Sequence, residues 1–364
     1  MSHDDPALSR LIDQVKNAAA ASRTLDIHGG NTKAFYGEPA RGDVLDTTPL
    51  AGISSYEPTE LVVTARCGTR LAELESTLAE RGQCLAFEPP RFGAGGTVGG
   101  MVAAGLSGPS RAAVGSVRDF VLGASLLNGR GEVLSFGGQL MKNVAGYDVS
   151  RLLAGSMGTL GVILEVSLKV LPVAPASATL RFQLDEASAI RRMNEWGGQP
   201  WPINASAWWN GMLVIRLRGA FAAVNAAIGR LGGELIEAEV GTQFWQGLRD
   251  HSDEFFEHAV DAVKGGATLW RLSLPSTTPP LALHGETLIE WGGAQRWVVT
   301  PQSAASLREL VQQAGGHATV FRARDKSAGV FAPLAPALMR IHAELKASFD
   351  PAGVFNPGRL YPGL

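Results

Sequence analysis

The placement of glycine between Pro89 and Gly161 constrains this chain more than any other feature. The stretch opens as Pro89-Pro90-Arg91-Phe92-Gly93-Ala94-Gly95-Gly96-Thr97-Val98-Gly99-Gly100. It passes through Ala103-Ala104-Gly105 and closes as Gly155-Ser156-Met157-Gly158-Thr159-Leu160-Gly161. Backbone without a Cβ can approach a ligand closely, and successive N–H groups can line a concavity that attracts anions. Thr97 is suited to start a helix directly after the glycine loop, with Gly99, Gly100, Ala103, Ala104 and Gly105 giving it a face without bulk. A helix start favours anions, but the dipole contributes only about 0.3–1 kcal/mol per charge. Aligned N–H hydrogen bonds must supply the rest, and the expected ligand is a di- or polyphosphate. An earlier run, Gly29-Gly30-Asn31-Thr32-Lys33, has two readings. It is an ordinary polar turn, or a second amide cradle to which Asn31, Thr32 and Lys33 add donors.

Bulk properties narrow the function by exclusion. The 364 residues carry a net charge of −2, with 45% hydrophobic and 18% charged side chains. That length suits two domains with substantial cores, and the charge gives no electrostatic case for nucleic acid or an anionic membrane. Cys67 and Cys84 are too few for a disulfide framework or a metal cluster, which suits a reducing cytoplasm. Met1-Ser2-His3-Asp4-Asp5 lacks the basic and apolar regions of a signal peptide. No apolar run is long enough to span a bilayer.

Periodicity predicts an amphipathic helix over 6–21, a strand over Thr24–His28, a strand over Leu61–Arg66, a helix over Leu71–Arg81 and a strand over Gln83–Phe87. Phe120–Leu127 and Glu132–Phe136 read as strands joined at Asn128-Gly129, and Val162–Val170 as a long strand ended by Pro172. The small residues and prolines at 172–175 mark a boundary, beyond which tryptophans cluster between 201 and 297. Strands are expected at Leu180–Phe182, Met212–Leu217, Glu234–Val240, Thr268–Leu274, Gln295–Val299 and His317–Phe321. Helices are expected to Trp196, over Phe221–Leu231, over Ala304–Ala314 and over Leu334–Phe349. This alternation suggests an antiparallel sheet covered by helices on one face. The expected organisation is α+β: a first domain over 1–173, a second over 174–330, and a last helix and tail over 331–364.

The familiar nucleotide signatures do not fit. Gly93-Ala94-Gly95-Gly96-Thr97-Val98 fails the Gly-x-Gly-x-x-Gly pattern at its last position, and no Gly-Lys-Ser/Thr loop occurs. The chain instead resembles the FAD-binding fold of the vanillyl-alcohol oxidase/p-cresol methylhydroxylase type. Five runs in order carry the resemblance: Gly29-Gly30-Asn31-Thr32, Thr97-Val98-Gly99-Gly100 with Ala104-Gly105, Gly115-Ser116-Val117-Arg118-Asp119, Gly155 to Gly161, and Phe349-Asp350-Pro351 with Asn356-Pro357-Gly358. Within that family, Met141-Lys142-Asn143-Val144-Ala145-Gly146-Tyr147-Asp148 and Gly353 to Arg359 resemble the smaller FAD-binding subunits of bacterial glycolate oxidases.

The resemblance implies a two-subdomain FAD-binding domain followed by an antiparallel-sheet-plus-helices, cap-like domain. It implies that Gly29, Gly30, Asn31, Thr32 and Lys33, with Gly96, Thr97, Val98, Gly99 and Gly100, hold the FAD pyrophosphate, and that Pro89 belongs to the same site. Ala104, Gly105, Gly115, Ser116 and Val117 would line the ribityl and adenine parts. Val162 and Ile163 would touch the cofactor through backbone, and Asn356 would return from the tail to the flavin edge. Members that attach FAD covalently have histidine after the paired glycines; Asn31 stands there, which implies noncovalent FAD. His28 reads as structural.

The implied activity is oxidation of glycolate to glyoxylate within a complex. The partners would be a larger FAD-binding subunit and an iron–sulfur subunit passing electrons to quinone. The implied location is cytoplasmic, with access to the inner membrane face through those partners. Two alternatives are a stand-alone FAD-dependent D-2-hydroxyacid dehydrogenase and a non-catalytic flavin scaffold. Relatives carry a histidine-rich metal motif, whereas Gly315-Gly316-His317-Ala318-Thr319-Val320 offers one histidine, so no metal is expected. His251 and His258 fall seven apart on a possible helix beside Asp253, Glu254 and Glu257, which reads better as a solvated acidic helix. Arg271 is the best candidate for binding a substrate carboxylate, and no general base stands out.

Overall fold

The computed structural model describes residues 5–138 and 148–364. Of the run Met141–Asp148, only Asp148 falls within them. The chain divides into two compact units. Met1–Leu106, Ser116–Pro172 and Pro333–Leu364 form the first; Ser107–Gly115 and Val173–Ala332 form the second.

The first unit begins with the helix Pro6–Ala20. Asp5 caps it by accepting from the N–H groups of Ala7 and Leu8, Pro6 occupies its first turn, and Leu8, Leu11, Val15 and Ala18 are buried. β1 (Leu25–His28) and β2 (Asp43–Asp46) form a parallel pair. β3 (Ile53–Glu57) and β4 (Val62–Arg66) follow, then the helix Leu71–Ala79. The strand expected at Gln83–Phe87 shrinks to β5 (Gln83–Cys84), because the Glu88 N–H turns back onto Leu85 O and Glu88 itself takes φ 49°. β6 (Val121–Leu127), β7 (Val133–Gly137), β8 (Val162–Lys169) and β9 (Leu171–Pro172) complete the strands among the described residues of this unit. β3, β4, β8, β6 and β7 lie in that order in one antiparallel sheet. The β6–β7 hairpin is closed by the Asn128 side chain, whose Oδ1 accepts from the N–H groups of Arg130 and Glu132.

The helix Pro336–Phe349 leads into the C-terminal tail. That tail lies beside β1: Leu25 N–H donates to Val354 O at 2.7 Å, and Asn356 N–H to Leu25 O at 2.9 Å.

The second unit is built on one antiparallel sheet of eight strands. These are β10 (Ala176–Gln183), β11 (Ile203–Trp209), β12 (Met212–Gly219), β13 (Glu234–Ile236), β14 (Thr268–Ser273), β15 (Glu286–Glu290), β16 (Gln295–Thr300) and β17 (His317–Arg322). Their order is β13-β10-β12-β11-β15-β16-β14-β17.

Sequence alternation expected helices on one face, and the structure corrects this. Leu180, Leu213, Ile215, Leu217 and Ile289 pack against the helices Glu186–Gly197 and Phe221–Leu231. Trp270, Leu272, Val298 and Val320 meet Leu307 and Val311 of the helix Ala304–Gln313 on that same face. On the opposite face, Thr179 accepts from Trp245 Nε1, and Phe256 meets Trp297. Trp245 and Phe256 belong to the helices Ala238–Asp250 and Glu254–Lys264. Because neighbouring residues of a strand point to opposite faces, Leu180 and Thr179 assign these helices to two layers.

Two further expectations change with that layer. The strand read over Glu234–Val240 ends at Ile236, and the helix Ala238–Asp250 starts at once, burying Gly241, Trp245 and Leu248 at helical spacing. His251 is that helix's left-handed C-cap, while His258 lies in the next helix, so they do not share a helix face. His251 stacks on Phe256, with ring centroids 3.7 Å apart. Burial, reinforced by Arg322 and Arg271, holds its pKa well below the ordinary histidine value.

Candidate functional site

In the first unit, β1 runs directly into the glycine turn, and the C-terminal tail runs alongside it. A cavity of about 340 Å³ lies where they meet the helix Val98–Ala104. The segment from Asp26 to Ala34 forms one wall; Thr97, Gly100, Ala103 and Ala104 form another; Ala40, Met157, Asn356 and Arg359 complete it. A second cavity of about 70 Å³ shares Ile27, Gly29, Gly100, Ala103, Met157 and Asn356 with the first, so the two adjoin. It extends to Cys67, Gly161 and Ile163.

Glycine is needed at the turn for close approach of one backbone to another. A Cβ on Gly30 would sit 1.4 Å from Gly95 O, and one on Gly29 would sit 2.4 Å from Thr97 Oγ1. The turn is therefore seated directly on the second glycine loop, and Asn31 continues it in the left-handed region at φ 56°. The backbone N–H groups of Gly29, Gly30, Asn31 and Thr32 donate to no protein acceptor among the described residues. A row of such groups lining a concave wall is a fit for a diphosphate.

The start of the helix Val98–Ala104 behaves differently from its expectation. Val98 N–H donates to Thr69 O, Gly99 N–H to Cys67 O, and Gly100 N–H to Thr97 Oγ1. These amides are satisfied inside the protein, so the donors left for a ligand belong to the 29–32 turn. Gly99 is small because a Cβ there would lie 2.6 Å from Cys67 Cβ. Gly100, Ala103 and Ala104 supply a floor of little bulk.

The predicted site residues thus separate. Gly29, Gly30, Asn31, Thr32, Lys33, Thr97, Gly100, Ala104 and Asn356 line the larger cavity, and Gly99 and Ile163 line the smaller. Pro89, Gly96, Val98, Gly105, Ser116, Val117 and Val162 belong to the same unit but to neither lining. Ser116 is engaged locally, its N–H and hydroxyl both donating to Asp119 Oδ2. Gly115 and Arg271 belong to the second unit. Arg271 lies on β14 between Trp297 and Thr319, and His317 is nearby. Desolvation and then the Arg271 charge lower the His317 pKa. The second unit has its own cavity of about 210 Å³ beside Trp196 and Trp201, and Arg271 is not in its lining.

Asn356, expected at the site, sits at φ 40°; its Oδ1 accepts from Ile27 N–H at 2.8 Å, and its Nδ2 donates to Met157 O at 2.6 Å. Arg359, Lys346 and Asp26, which support the same walls, were not singled out from sequence. Arg359 donates to Ala34 O at 3.0 Å and Tyr36 O at 2.7 Å, and also to Glu38 O. Lys346 Nζ donates to Thr159 O at 2.7 Å, Phe355 O at 2.7 Å and Asp350 Oδ2 at 2.6 Å. Burial lowers the Lys346 pKa, against the opposing pull of Asp350. His28 and Asp26, both in the lining, meet at 2.7 Å. The spacing Lys346–Asp350 is the one sequence signal that could have flagged the ion pair.

Comparison with known proteins bears on the same segments. A family model described as an FAD binding domain matches residues 8–137. Glycolate oxidase subunit GlcE of Escherichia coli (strain K12) is 49% identical over 354 residues, 97% of this chain and 97% of that protein. The chain belongs to the GlcE family. Glycolate oxidase subunit GlcD of Bacillus subtilis (strain 168) is 38% identical over 84 residues, 23% of this chain and 18% of that protein. Among solved structures, an alkyldihydroxyacetonephosphate synthase superposes with a TM-score of 0.64 at 15% identity, over 97% of this chain and 76% of that one. That likeness is one of fold. For this GlcE-family chain the fold is therefore the α+β FAD-binding fold, and FAD is its cofactor. No helix among the described residues is long and apolar enough to cross a membrane, and none of their His, Cys, Asp and Glu side chains group as a metal site.

Proposed function

We propose that this chain is the FAD-binding subunit of a multi-subunit glycolate oxidase, a glycolate dehydrogenase converting glycolate to glyoxylate. Its partners are a larger FAD-binding subunit and an iron–sulfur subunit, through which electrons reach quinone at the membrane. The observation that carries this reading is the likeness to GlcE over 97% of both chains. The family model matched over residues 8–137 includes the 29–33 turn that lines the cavity.

Bound in the cavity, FAD would supply an acceptor for the two electrons that a 2-hydroxy acid loses on oxidation. The chain's own residues would do the holding. The Gly29–Thr32 amides and Lys33 would bind the diphosphate, Thr97 would order the loop beneath it, and Gly100, Ala103 and Ala104 would let it lie close. Asn31 occupies the position where covalent attachment would need histidine, so the cofactor is held noncovalently. Arg271 is the residue proposed to bind a substrate carboxylate in the second unit.

The test is the absorption spectrum of the purified chain, alone and with its partner subunits, before and after glycolate. A flavin spectrum that bleaches only when the partners are present is the expected result. Colourless protein that takes up no added FAD overturns the cofactor assignment. Bleaching by glycolate without partners favours a stand-alone dehydrogenase, and flavin that never bleaches even in the complex favours a scaffold.

A further inference from the structure

We infer that Lys346 is a positioning residue for the cofactor, coupling the docked C-terminal tail to FAD binding. The inference rests on the assignment of the first-unit cavity to FAD.

Lys346 is 8% exposed and Asp350 2% exposed. The lysine ammonium has three donors, and three acceptors take them: Thr159 O, Phe355 O and the Asp350 carboxylate. Two of these acceptors sit next to cavity walls. Thr159 belongs to the loop whose Met157 and Gly158 line the cavities. Phe355 precedes Asn356, whose side-chain amide joins Ile27 N–H of β1 to Met157 O. Asp350 in turn accepts from the N–H groups of Val354 and Phe355 at 2.9 and 2.8 Å, so the ion pair also holds the turn that presents Asn356.

A single buried cation thus ties the 155–161 loop to the tail, and the tail in turn holds β1 through Asn356, without the cation lining either cavity. If the tail undocks, Asn356 leaves both Ile27 and Met157, and the wall they share loses its tie. A ligand that needs both walls binds only the docked form, so its binding must favour docking by the same factor that docking favours binding. A purely structural lysine would stabilise the fold equally with and without FAD and show no such linkage.

The test combines variants with a measurement on the unaltered chain. Lys346→Met removes the ammonium, and the double variant Lys346→Met, Asp350→Leu removes both charges so that no buried carboxylate is stranded. FAD affinity is measured by fluorescence titration of FAD-free protein, alongside its Tm without FAD. Amide hydrogen exchange of residues 353–359 in the unaltered chain is followed with and without FAD. The expected result is FAD affinity at least about tenfold weaker in the folded variant or variants, equivalent to about 1.4 kcal/mol. Slower exchange of the Val354, Phe355 and Asn356 amides on adding FAD is expected as well. Unchanged FAD affinity in a folded variant with a lowered Tm overturns the inference alone, as does FAD-independent exchange of those amides when FAD binds. An unaltered chain that takes up no FAD overturns the cofactor assignment and the inference with it.

Discussion

Gly100→Ala separates a glycine kept for the ligand from one kept for the protein. Gly100 lines both cavities of the first unit. A Cβ built there meets only Thr97 Oγ1, at 3.2 Å. The hydroxyl must give by a few tenths of an ångström, while alanine in place of glycine favours a helix by up to about 1 kcal/mol. The FAD-free variant should therefore match or slightly exceed the parent in Tm. With FAD against that wall, the methyl group occupies ligand space and pushes the cofactor off the 29–32 amides. Losing one hydrogen bond to a charged group costs about 1.5–3 kcal/mol, a ten- to hundredfold or so loss of affinity. Equilibrium titration of FAD-free protein measures this directly. Unchanged affinity in a variant of normal Tm would show that the cofactor does not lie over the helix. Gly99 cannot serve in this test: its Cβ would collide with Cys67, so any FAD loss would confound packing with binding.

Three more outcomes follow from other positions. Gly30→Ala places a Cβ 1.4 Å from Gly95 O, so the turn must lift off the second loop; the expected results are FAD-free protein on purification and a lowered Tm, and full flavin occupancy would contradict the geometry. Asp253 caps the helix Glu254–Lys264, and burial raises its pKa from 3.8 to about 6, with the Phe256 N–H bond opposing. Its folded form holds a proton that its unfolded form gives up, so this contribution is full below about pH 4 and lost as pH rises through 6, about 3 kcal/mol at 1.36 kcal/mol per pH unit. Asp253→Asn keeps the cap and should raise stability at pH 7 and flatten that window in denaturant titrations at several pH values; a parent-like profile would exclude Asp253 as its source. Arg271→Ala should leave FAD content unchanged and raise the glycolate concentration needed for half-maximal flavin reduction in the assembled complex; an unaltered concentration would remove Arg271 from the substrate site.

Local physics made most elements of the first unit legible. The apolar spacing of Leu8, Leu11 and Val15 marks its first helix, and Thr97 marks the start of the helix over the cavity. The glycine turns were legible as places of close approach, but what approaches was not. Gly99 is pressed against Cys67 and Gly30 against Gly95, and neither partner can be read from spacing. The same blindness put Ala238–Val240 in a strand. Ile236 to Val240 alternates apolar and polar side chains, yet Trp245 and Leu248 further on continue a helical stripe that packs on the sheet through Thr179. An alternation of strands and helices likewise says nothing about which face each helix covers; that follows only from the registers that put Leu180 and Thr179 on opposite sides.

The least legible part of the site is the part that closes it. Periodicity reports contacts within a few turns of helix or residues of strand, whereas Asn356 reaches Ile27 across 329 positions and Met157 across 199, and Lys346 reaches Thr159 across 187. Joining such distant segments has an entropic cost that grows only slowly with the length of chain between them. A few strong, directional bonds can therefore hold the tail where a row of weak ones would not, and buried charge is suited to that: an ammonium with three acceptors at 2.6–2.7 Å resists displacement because each lost bond leaves a polar group out of water. The opening glycines and the closing tail thus work by opposite means. The first leave amides unpaired for a ligand, and the second leaves none of the ammonium's donors unpaired, which is why the tail can fix the walls of a cavity whose contents come and go.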